Sequence, residues 1–363
     1  MRPVQFAKIS ILLTFGAQTL TQETDRASTN FQIQWQAQHS GVTASLRGLS
    51  AVNSAVAWAS GTGGQFLKTT DGGENWLVKV VPGADSLDFR DVEAFDANHA
   101  FLMSAGPGEK SRIYKTSDGG RTWQLQFTNP HPDGFLDGIT FWDADNGIAY
   151  GDPVDGHPFI IITRDGGATW VQMPPESIPT VVEGEYGFAA SGTGIRTFGT
   201  DHVWICSGGS AARVFHSINR GLTWQVVSTP ILCGKQSAGI FSLAFRDEKI
   251  GIAVGGDYAA PAESGANVAR TTDGGRTWQL VDGATGVSYR SCVSFVPDAS
   301  PPLLVAVGTP GTSYSADDGL TWTQVDTVGN HVVNFGDSPD AGWAAGADGR
   351  IAKLILTRVA GEK

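Results

Sequence analysis

The octapeptide TTDGGENW at residues 69–76 recurs along the chain with small changes. Five further copies follow, namely TSDGGRTW at 116–123, TRDGGATW at 163–170, SINRGLTW at 217–224, TTDGGRTW at 271–278 and SADDGLTW at 315–322. We call these six segments the boxes. A catalytic centre needs its residues once, whereas a repeated turn supports a repeated architecture. The boxes therefore predict a protein built from one supersecondary unit used several times.

The spacing of the boxes fits a propeller blade. Successive box tryptophans lie 47, 47, 54, 54 and 44 residues apart, close to the length of a four-stranded blade. An apolar run ending in glycine precedes each box and occurs once more without one, at 55–61, 100–106, 147–151, 203–209, 250–256, 303–308 and 342–346. Seven such strands against six boxes predict an all-β, seven-bladed β-propeller of four-stranded blades.

The seventh unit has a third strand, GRIAKLIL at 349–356, but no box and no fourth strand after it. The alternating segment FQIQWQAQ at 31–38 is the expected partner. Pairing the two segments closes the ring with one strand from each end of the chain, and closure removes exposed sheet edges. We expect residues 26–363 to form this single propeller domain.

Each box is predicted to be a hairpin turn between the third and fourth strands of a blade. Its acidic or amide side chain should accept hydrogen bonds from nearby backbone amides, and its last glycine should adopt a positive φ. The tryptophan should lie in the fourth strand and pack between neighbouring blades. We assign a structural role to the box side chains Asp71, Asp118, Asp165, Asn219, Asp273 and Asp317.

Residues 1–25 carry a pattern typical of export. Arg2 and Lys8 precede an apolar run at 9–15, and small residues follow it, which is the order found in a secretory signal. We expect residues 1–25 to be a signal peptide and disordered leader, and the protein to be secreted or periplasmic; a plain disordered N-terminus is the alternative. No other stretch has the roughly 20 apolar residues of a transmembrane helix.

The overall charge and the cysteines exclude several classes of partner. A formal net charge of −11 argues against nucleic acid, which requires clustered lysine and arginine. Cys206, Cys233 and Cys292 are odd in number and lack metal-like spacing, so they predict neither a disulfide framework nor a zinc site. Cys206 and Cys292 lie in apolar runs and are predicted to be buried thiols. We expect a monomer.

Loop lengths indicate which face of the propeller carries function. Connections on the box side are short, whereas long loops emerge on the opposite face at 151–159, 173–187, 228–239 and 255–267. Binding residues concentrate in long loops held by a rigid scaffold, although tolerated surface insertions are the alternative. The polar and aromatic residues of these loops that would surround a site are Asp152, Asp155, His157, Glu185, Tyr186, Lys235, Asp257 and Tyr258.

Charged residues also recur near the start of the first, innermost strands. They are Arg47, Arg90, Asp137, Arg290 and His331. Two interpretations remain open. These residues form either a structural ring of salt bridges, with Asp91 and Asp137 as partners, or an anion-binding mouth together with Arg196 and Arg213. The second interpretation predicts a protein segment or an anionic small molecule as the ligand.

The boxes resemble the Asp-box, or bacterial neuraminidase, repeat, so a sialidase-like glycoside hydrolase is an alternative function. Such an enzyme needs three arginines, a Tyr–Glu pair and an acidic Asp, and the chain lacks both the early Arg-Ile-Pro motif and a well-placed glutamate. Asp152, Asp155 and His157 share one loop, but carboxylates in surface turns are common, and we expect no metal. No nucleotide or redox motif predicts a cofactor.

Several segments resemble the photosystem II stability/assembly factor family, and in particular a bacterial branch of it. The resemblance rests on Trp35, the glycine-ended strands, the boxes, and the segments at 139–156, 188–199 and 342–354. It implies a non-catalytic seven-bladed assembly factor that docks on polypeptides, with Arg47, Arg90 and Arg290 as docking arginines. Members of this branch are often labelled oxidoreductases, so a propeller enzyme of unknown chemistry is a further alternative.

Overall fold

A computed structural model describes Met1 and residues 30–359 of the protein. Within these residues the chain forms seven antiparallel sheets arranged as the blades of a propeller, as the sequence predicts. Helical structure is limited, across the same residues, to three single-turn 3₁₀ helices at Gly108–Lys110, Pro175–Ser177 and Asp282–Ala284. The predicted export segment, 1–25, lies outside the described residues.

The first three blades follow the chain in simple order after the opening strand β1 (Asn30–Gln38). Blade one consists of β2 (Leu46–Ala51), β3 (Ala57–Gly61), β4 (Gln65–Thr69) and β5 (Leu77–Val80). Blade two consists of β6 (Asp88–Ala94), β7 (Ala100–Ala105), β8 (Arg112–Thr116) and β9 (Gln124–Thr128). Blade three consists of β10 (Leu136–Phe141), β11 (Gly147–Val154), β12 (His157–Thr163) and β13 (Val171–Gln172).

Two short extra strands, β14 (Glu185–Tyr186) and β17 (Gly208–Gly209), extend the inner edge of blade five to a six-stranded sheet. Blade four consists of β15 (Ile195–Phe198), β16 (His202–Cys206), β18 (Arg213–Ser217) and β19 (Gln225–Ser228). The four regular strands of blade five are β20 (Ala238–Phe245), β21 (Gly251–Asp257), β22 (Val268–Thr271) and β23 (Gln279–Leu280). Blade six consists of β24 (Cys292–Val296), β25 (Leu303–Gly308), β26 (Gly311–Ser315) and β27 (Thr323–Asp326).

Blade seven closes the ring as predicted. It consists of β28 (Val332–Phe335), β29 (Gly342–Ala345), β30 (Ile351–Val359) and the opening strand β1. Strand β1 pairs with β30 over its whole length, from Asn30 opposite Val359 to Gln38 opposite Ile351. The Trp35 indole donates a 3.0 Å hydrogen bond to the Thr312 hydroxyl of blade six. The closing strand is therefore fixed both by its own blade and by the neighbouring one.

The boxes form the predicted hairpin turns. In the second box, the Asp118 carboxylate accepts hydrogen bonds from the Thr122 amide at 2.9 Å and the Thr122 hydroxyl at 2.7 Å. The Thr116 hydroxyl accepts a 3.0 Å bond from the Gly120 amide, and Gly120 has a φ of 78°. Asn219 takes the acidic position in the fourth box and accepts the Thr223 amide at 2.9 Å. The box side chains therefore satisfy the backbone of each turn.

One detail of the box prediction is wrong. Each box tryptophan immediately precedes the fourth strand instead of lying in it, because β5, β9, β13, β19, β23 and β27 all begin one residue later. The predicted packing between blades is confirmed, since Trp123 of blade two contacts Trp58 and Phe66 of blade one at ring-centroid distances of 6.3 and 5.1 Å. Because the strand starts after the turn, the indole is free to fold back onto the preceding blade.

The burial of the cysteines agrees with the prediction from the sequence. Cys206 and Cys292 are buried and Cys233 is exposed, and within residues 30–359 all three are free thiols. In the part of the chain that the structure describes, no helix is long and apolar enough to cross a membrane.

Candidate functional site

Residues 187–194 cross the central channel, and we call this segment the channel plug. Its Ala189 and Ala190 carbonyls accept hydrogen bonds from Arg90 at 3.0 Å and Arg47 at 3.5 Å. On the other side of the channel, the Ser191 hydroxyl donates to the Ser291 carbonyl at 2.8 Å. Because these partners belong to blades one, two and six, the plug spans the channel and forms a floor beneath its mouth.

The plug was not predicted from the sequence. The segment 187–194 contains only glycine, alanine, serine, threonine and one phenylalanine. Small residues allow a main chain to approach its neighbours closely. A Cβ atom at Gly192 would lie 2.1 Å from an Asp91 carboxylate oxygen. That run of small residues is the signal by which the plug could have been recognised.

A cavity of about 480 Å³ lies at the mouth of the channel, above the plug, and we call it the mouth cavity. It opens on the face opposite the boxes, where the long loops meet. Five of the predicted site residues line it, namely Arg47, Arg90, Asp137, Asp152 and His331. Two rim residues predicted from loop length, Tyr186 and Tyr258, line it as well.

β-Bulges explain why first-strand residues point into this cavity. In blades one, two, three and five, the pairing of the first and second strands shifts by one residue. A bulge leaves one residue unpaired and redirects its side chain. The skipped residues are Arg47, Arg90, Asp137 and Phe241, and all four line the mouth cavity. The same irregularity therefore supplies both charged and aromatic groups to the site.

The two arginines of the mouth cavity differ in their partners. The Arg90 side chain forms a 2.6 Å ion pair with Asp88 in addition to its bond to the plug. Arg47 has no carboxylate within 4.0 Å among residues 30–359, and its single hydrogen bond to Ala190 is long. Burial, followed by the nearby charge of Arg90, lowers the pKa of Arg47. Arg47 is therefore a partly buried cation that no carboxylate contacts directly among the described residues, and the more distant charge of Asp88 only partly offsets its burial.

His331 does not add a positive charge at neutral pH. Burial, followed by the charges of Arg47, Arg350 and Arg90, lowers the pKa of the His331 imidazole to about 4. The ring is therefore neutral under ordinary conditions and offers a hydrogen-bonding nitrogen beside Arg47.

The two aspartates of the mouth cavity lie against the plug. Asp152 accepts a 3.2 Å hydrogen bond from the Gly187 amide, whereas the Oδ2 atom of Asp137 is buried and has no hydrogen-bond partner among the described residues. Burial, offset in part by the Gly187 amide, raises the pKa of Asp152 to about 6. Burial, together with the charge of Asp152, raises the pKa of Asp137 well above its usual range. Asp137 and Asp152 therefore keep their protons to a higher pH than surface aspartates do.

An aromatic cluster forms the opposite wall of the mouth cavity. Phe188 of the plug stacks on Phe241 with a centroid distance of 4.0 Å and an interplanar angle of 13°. Tyr258 lies edge-on to both rings, at 6.3 and 6.1 Å. Tyr289 packs against Phe241 at 4.9 Å, and Tyr186 packs against Phe188 at 5.5 Å. The cavity thus has a cationic side and an aromatic side.

Arg290 lies outside the cavity, although it was predicted beside Arg47 and Arg90. Its side chain is buried and donates to the Tyr289 carbonyl at 2.9 Å and the Ser313 hydroxyl at 2.7 Å. Burial lowers its pKa to about 10. The pairing of β24 with β25 has no bulge, and Arg290 precedes β24. Without the bulge, the guanidinium turns into blade six instead of the channel.

Arg213 and Arg196 also lie outside the cavity. Arg213 forms an ion pair with the buried Glu185 and lies 5.2 Å from the Phe215 ring centroid. Arg196 donates a 3.2 Å bond to the Leu243 carbonyl. The pair of Arg213 and Glu185 ties the loop 173–187 to blade four, so both arginines support the scaffold around the site.

The loop acids and histidine do not converge on a metal site. Asp155 is exposed at the tip of its turn with a φ of 52°, and a His157 ring nitrogen lies 2.8 Å from the Ile178 carbonyl. Within residues 30–359, no three His, Cys, Asp or Glu side chains come together as metal ligands would. At the rim, Lys235 and Asp257 form a 3.0 Å ion pair that braces the loop carrying Tyr258.

No family model matches the chain, and the search of curated proteins gave no match. Among solved structures, YCF48 from Cyanidioschyzon merolae is 19% identical with a TM-score of 0.62, covering 88% of this chain and 98% of that one. YCF48 bound to D1 peptide is 19% identical with a TM-score of 0.59, covering 88% and 94%. The GH74 xyloglucanase from Xanthomonas campestris is 14% identical with a TM-score of 0.60, covering 88% of this chain and 53% of that one. The seven-bladed propeller of this chain is thus similar in fold to YCF48.

Proposed function

We propose that the protein is a non-catalytic binding propeller, of the assembly- or stability-factor kind, that docks an anionic group in the mouth cavity. The anionic group belongs to a polypeptide segment or a small ligand. The observation that carries the proposal is Arg47, which lies partly buried in the cavity without a carboxylate partner among the described residues. A buried charge is unfavourable unless it is paired, and a bound anion would supply the missing partner.

The size and rigidity of the site support the same function. A volume of about 480 Å³ falls within the range of roughly 300–1,000 Å³ found for ligand pockets. The floor is fixed by hydrogen bonds that Arg47 and Arg90 donate to plug carbonyls and by one that Asp152 accepts from the Gly187 amide of the plug. A preformed site loses little conformational entropy when a ligand binds. Guanidinium groups suit carboxylate or phosphate because their donors match the geometry of those anions.

The solved YCF48 structure with a D1 peptide favours a polypeptide as the partner. That complex belongs to a protein only 19% identical to this one, so the likeness lends weight to a class of partner and assigns no residue here. In this chain the residue proposed for docking is Arg47, with His331 beside it and Arg90 supporting the floor of the same cavity.

The proposal is tested by selecting binders from a phage-displayed library of random peptides. We expect the selected peptides to be rich in aspartate and glutamate, to bind more weakly as salt is added, and to bind the Arg47→Gln protein much more weakly. Arg276→Gln is the matched control, because Arg276 is exposed in the fifth box on the opposite face. Peptides without acidic residues, or binding that is indifferent to Arg47→Gln, would contradict the proposal.

A glycoside hydrolase is a second candidate, favoured by one observation. Asp137 and Asp152 are two carboxyls in one cavity, and both have raised pKa values; paired carboxyls carry out glycoside hydrolysis. Against this, Asp137 is 1% exposed, and the Asp152 carboxyl is bound to the Gly187 amide of the plug. Assays with a fluorogenic sialoside and with xyloglucan decide between the two functions. Hydrolysis that is abolished by Asp152→Asn would replace the binding proposal.

We also propose that the protein acts after export, in the periplasm or outside the cell. The support is the order of charged, apolar and small residues in 1–25. Cell fractionation with an antibody against the propeller, combined with N-terminal sequencing of the mature protein, tests this. A product that stays in the cytosol with residues 1–25 intact would contradict it.

A further inference from the structure

We propose that the anionic group docked at Arg47 is joined to an aromatic or large apolar group, which packs against Tyr258, Phe188 and Tyr186. The inference rests on the proposed anion-binding function and adds the second half of the ligand. It follows from the open aromatic wall that faces the arginines across the mouth cavity. We call Tyr186, Phe188 and Tyr258 the aromatic wall.

The wall has a buried base and an open surface. Phe241 is 2% exposed and Tyr289 5% exposed, so these two rings belong to the core. Tyr258, which packs edge-on to Phe188 and Phe241, is 52% exposed. Single exposed apolar residues are ordinary, but this ring continues a cluster of five aromatic side chains that lines a concave site. An aromatic surface in that position is typical of a ligand contact.

The wall is held in place before any ligand arrives. The Tyr186 hydroxyl donates to the Gln236 carbonyl, which joins the loop 173–187 to the loop 228–239. Asp257, next to Tyr258, accepts bonds from Lys235 at 3.0 Å and from the Ala259 amide at 2.9 Å. These bonds fix the backbone on either side of the exposed ring. A rigid aromatic group binds with little loss of side-chain entropy.

Tyr289 connects the aromatic wall to the cationic side. Burial raises the pKa of the Tyr289 phenol, and the charge of Arg47 opposes that rise, so the two groups lie within electrostatic reach. Tyr258 also acts on the Tyr289 phenol. Tyr289 packs against Phe241 at 4.9 Å, and Arg47, Tyr289 and Tyr258 all line the same cavity of about 480 Å³. A single small molecule, or two neighbouring side chains of a peptide, can touch both sides at once.

The chemistry of the ligand follows from these two sides. The cationic side takes a carboxylate or a similar anion, and the wall takes a flat or bulky apolar group by edge-to-face or stacked contact. Two sources can supply this combination. One is a free aromatic acid, and the other is a peptide segment in which an acidic residue neighbours an aromatic one.

The test measures dissociation constants by NMR titration for four probes. Indole-3-propionate is compared with propionate, and the blocked dipeptide acetyl-Glu-Trp-amide is compared with acetyl-Glu-Ala-amide. For at least one pair we expect the aromatic probe to bind about tenfold more tightly, the gain typical of one aromatic contact. A gain within the first pair identifies a small-molecule source, and a gain confined to the second pair identifies a peptide source.

Variants assign the gain to the wall. Tyr258→Ala should reduce the aromatic preference to about threefold or less and leave the weaker partner of the pair unaffected, while Tyr258→Phe should restore the preference. Leu222→Ala is the control, because Leu222 is 51% exposed in the fourth box on the opposite face. Because Tyr258 is half exposed, both variants should fold, which melting temperatures verify.

The outcomes separate this inference from the proposed function. Equal binding of aromatic and non-aromatic probes, or a preference that survives Tyr258→Ala, overturns the aromatic wall while leaving anion binding at Arg47 intact. Failure of all four probes to bind, or binding unchanged by Arg47→Gln, overturns both.

Discussion

The Nη1 group of Arg90 donates a 3.0 Å hydrogen bond to the carbonyl oxygen of Ala189, which joins the first strand of blade two to the channel plug. The same side chain forms a 2.6 Å ion pair with Asp88. Arg47, one blade away, contacts the plug only through a 3.5 Å bond to Ala190. Two arginines at equivalent positions of the repeat therefore have different roles. Arg90 supports the floor of the cavity, and Arg47 has donors left for a ligand.

Substituting each arginine separately tests this division. Arg90→Gln should lower the free energy of unfolding by roughly 1–3 kcal/mol, because a charged hydrogen bond and an ion pair are lost. Arg47→Gln should change it by less than about 0.5 kcal/mol and should greatly weaken binding of acidic peptides. Urea denaturation and peptide titration supply the two measurements. An Arg47 variant that unfolds as early as the Arg90 variant would mean that both arginines are structural.

Deletion of residues 30–38 should open the ring. The segment contains β1, which pairs with β30 along its whole length and buries Phe31 and Ile33. Its loss exposes an edge strand and two apolar side chains, so we expect the melting temperature to fall by at least about 10 °C. A chain that begins at residue 26 is the control, because it keeps β1 whole. A deletion variant that melts with the control would show that closure contributes little.

Substitution of Thr116 by valine should destabilise the second box without affecting binding. The Thr116 hydroxyl is buried and accepts the Gly120 amide at 3.0 Å. Valine keeps the shape of the side chain and leaves that amide without a partner, so unfolding should become easier by ~1–3 kcal/mol. Ser117→Ala, at the exposed neighbour, is the control. If Thr116→Val abolished peptide binding while stability stayed unchanged, the box would be a binding site and not a scaffold.

The blades could be predicted from the sequence because their signals are local. A box needs an acidic or amide side chain, a glycine with positive φ and a tryptophan within eight residues, and all six copies supply them. Ring closure was also predictable, because the strand at each end of the chain lacks a partner and pairing the two strands with each other completes the seventh blade. The residue at which the fourth strand begins could not be predicted. The pattern of the box is the same whether its tryptophan, such as Trp76, ends the turn or begins the strand.

The site was only partly predictable because it depends on bulges and on a distant segment. Arg47, Arg90 and Asp137 were identified by their place in the first strand, and a β-bulge turns each into the cavity. Arg290 shares the sequence position but not the bulge. The plug comes from residues 187–194, about 100 residues along the chain from Arg90, the donor to Ala189. No local sequence pattern predicts a contact between residues so far apart in the chain, so Phe188 was not predicted as part of the site.

Acid should destabilise the protein through the boxes. The Asn75 amide, followed by the side chains of Asn75 and Thr69, lowers the pKa of Asp71 to about 2. A depressed carboxyl pKa stabilises the fold above the unfolded value of about 4, and that stability is lost as pH falls through the folded value. Urea unfolding should therefore become easier between about pH 4 and pH 2.

A matched variant isolates the contribution of the boxes to acid unfolding. Asn219 shows that asparagine can form the same turn, so Asp71→Asn combined with Asp118→Asn keeps the bonds to the main-chain amides but removes two titrating groups. The double variant should lose less stability than the wild type when the pH is lowered. Identical acid profiles for the two proteins would show that other carboxyls control acid unfolding.

Anion binding in the mouth cavity should strengthen as the pH falls through about 6. Burial, offset by the Gly187 amide, raises the pKa of Asp152 to about 6, so Asp152 takes up a proton in this range. Removing a negative charge from the cavity reduces its repulsion of an anion, by at least roughly twofold in affinity over about 8–10 Å, even at the dielectric of bulk water. His331, with a pKa of about 4, stays neutral throughout. Titration of an acidic peptide at pH 5.5 and 7.5 measures the effect, and Asp152→Asn, which keeps the acceptor for Gly187, should weaken it. Affinity that rises with pH, or an undiminished pH dependence in Asp152→Asn, would place the anion away from this cavity.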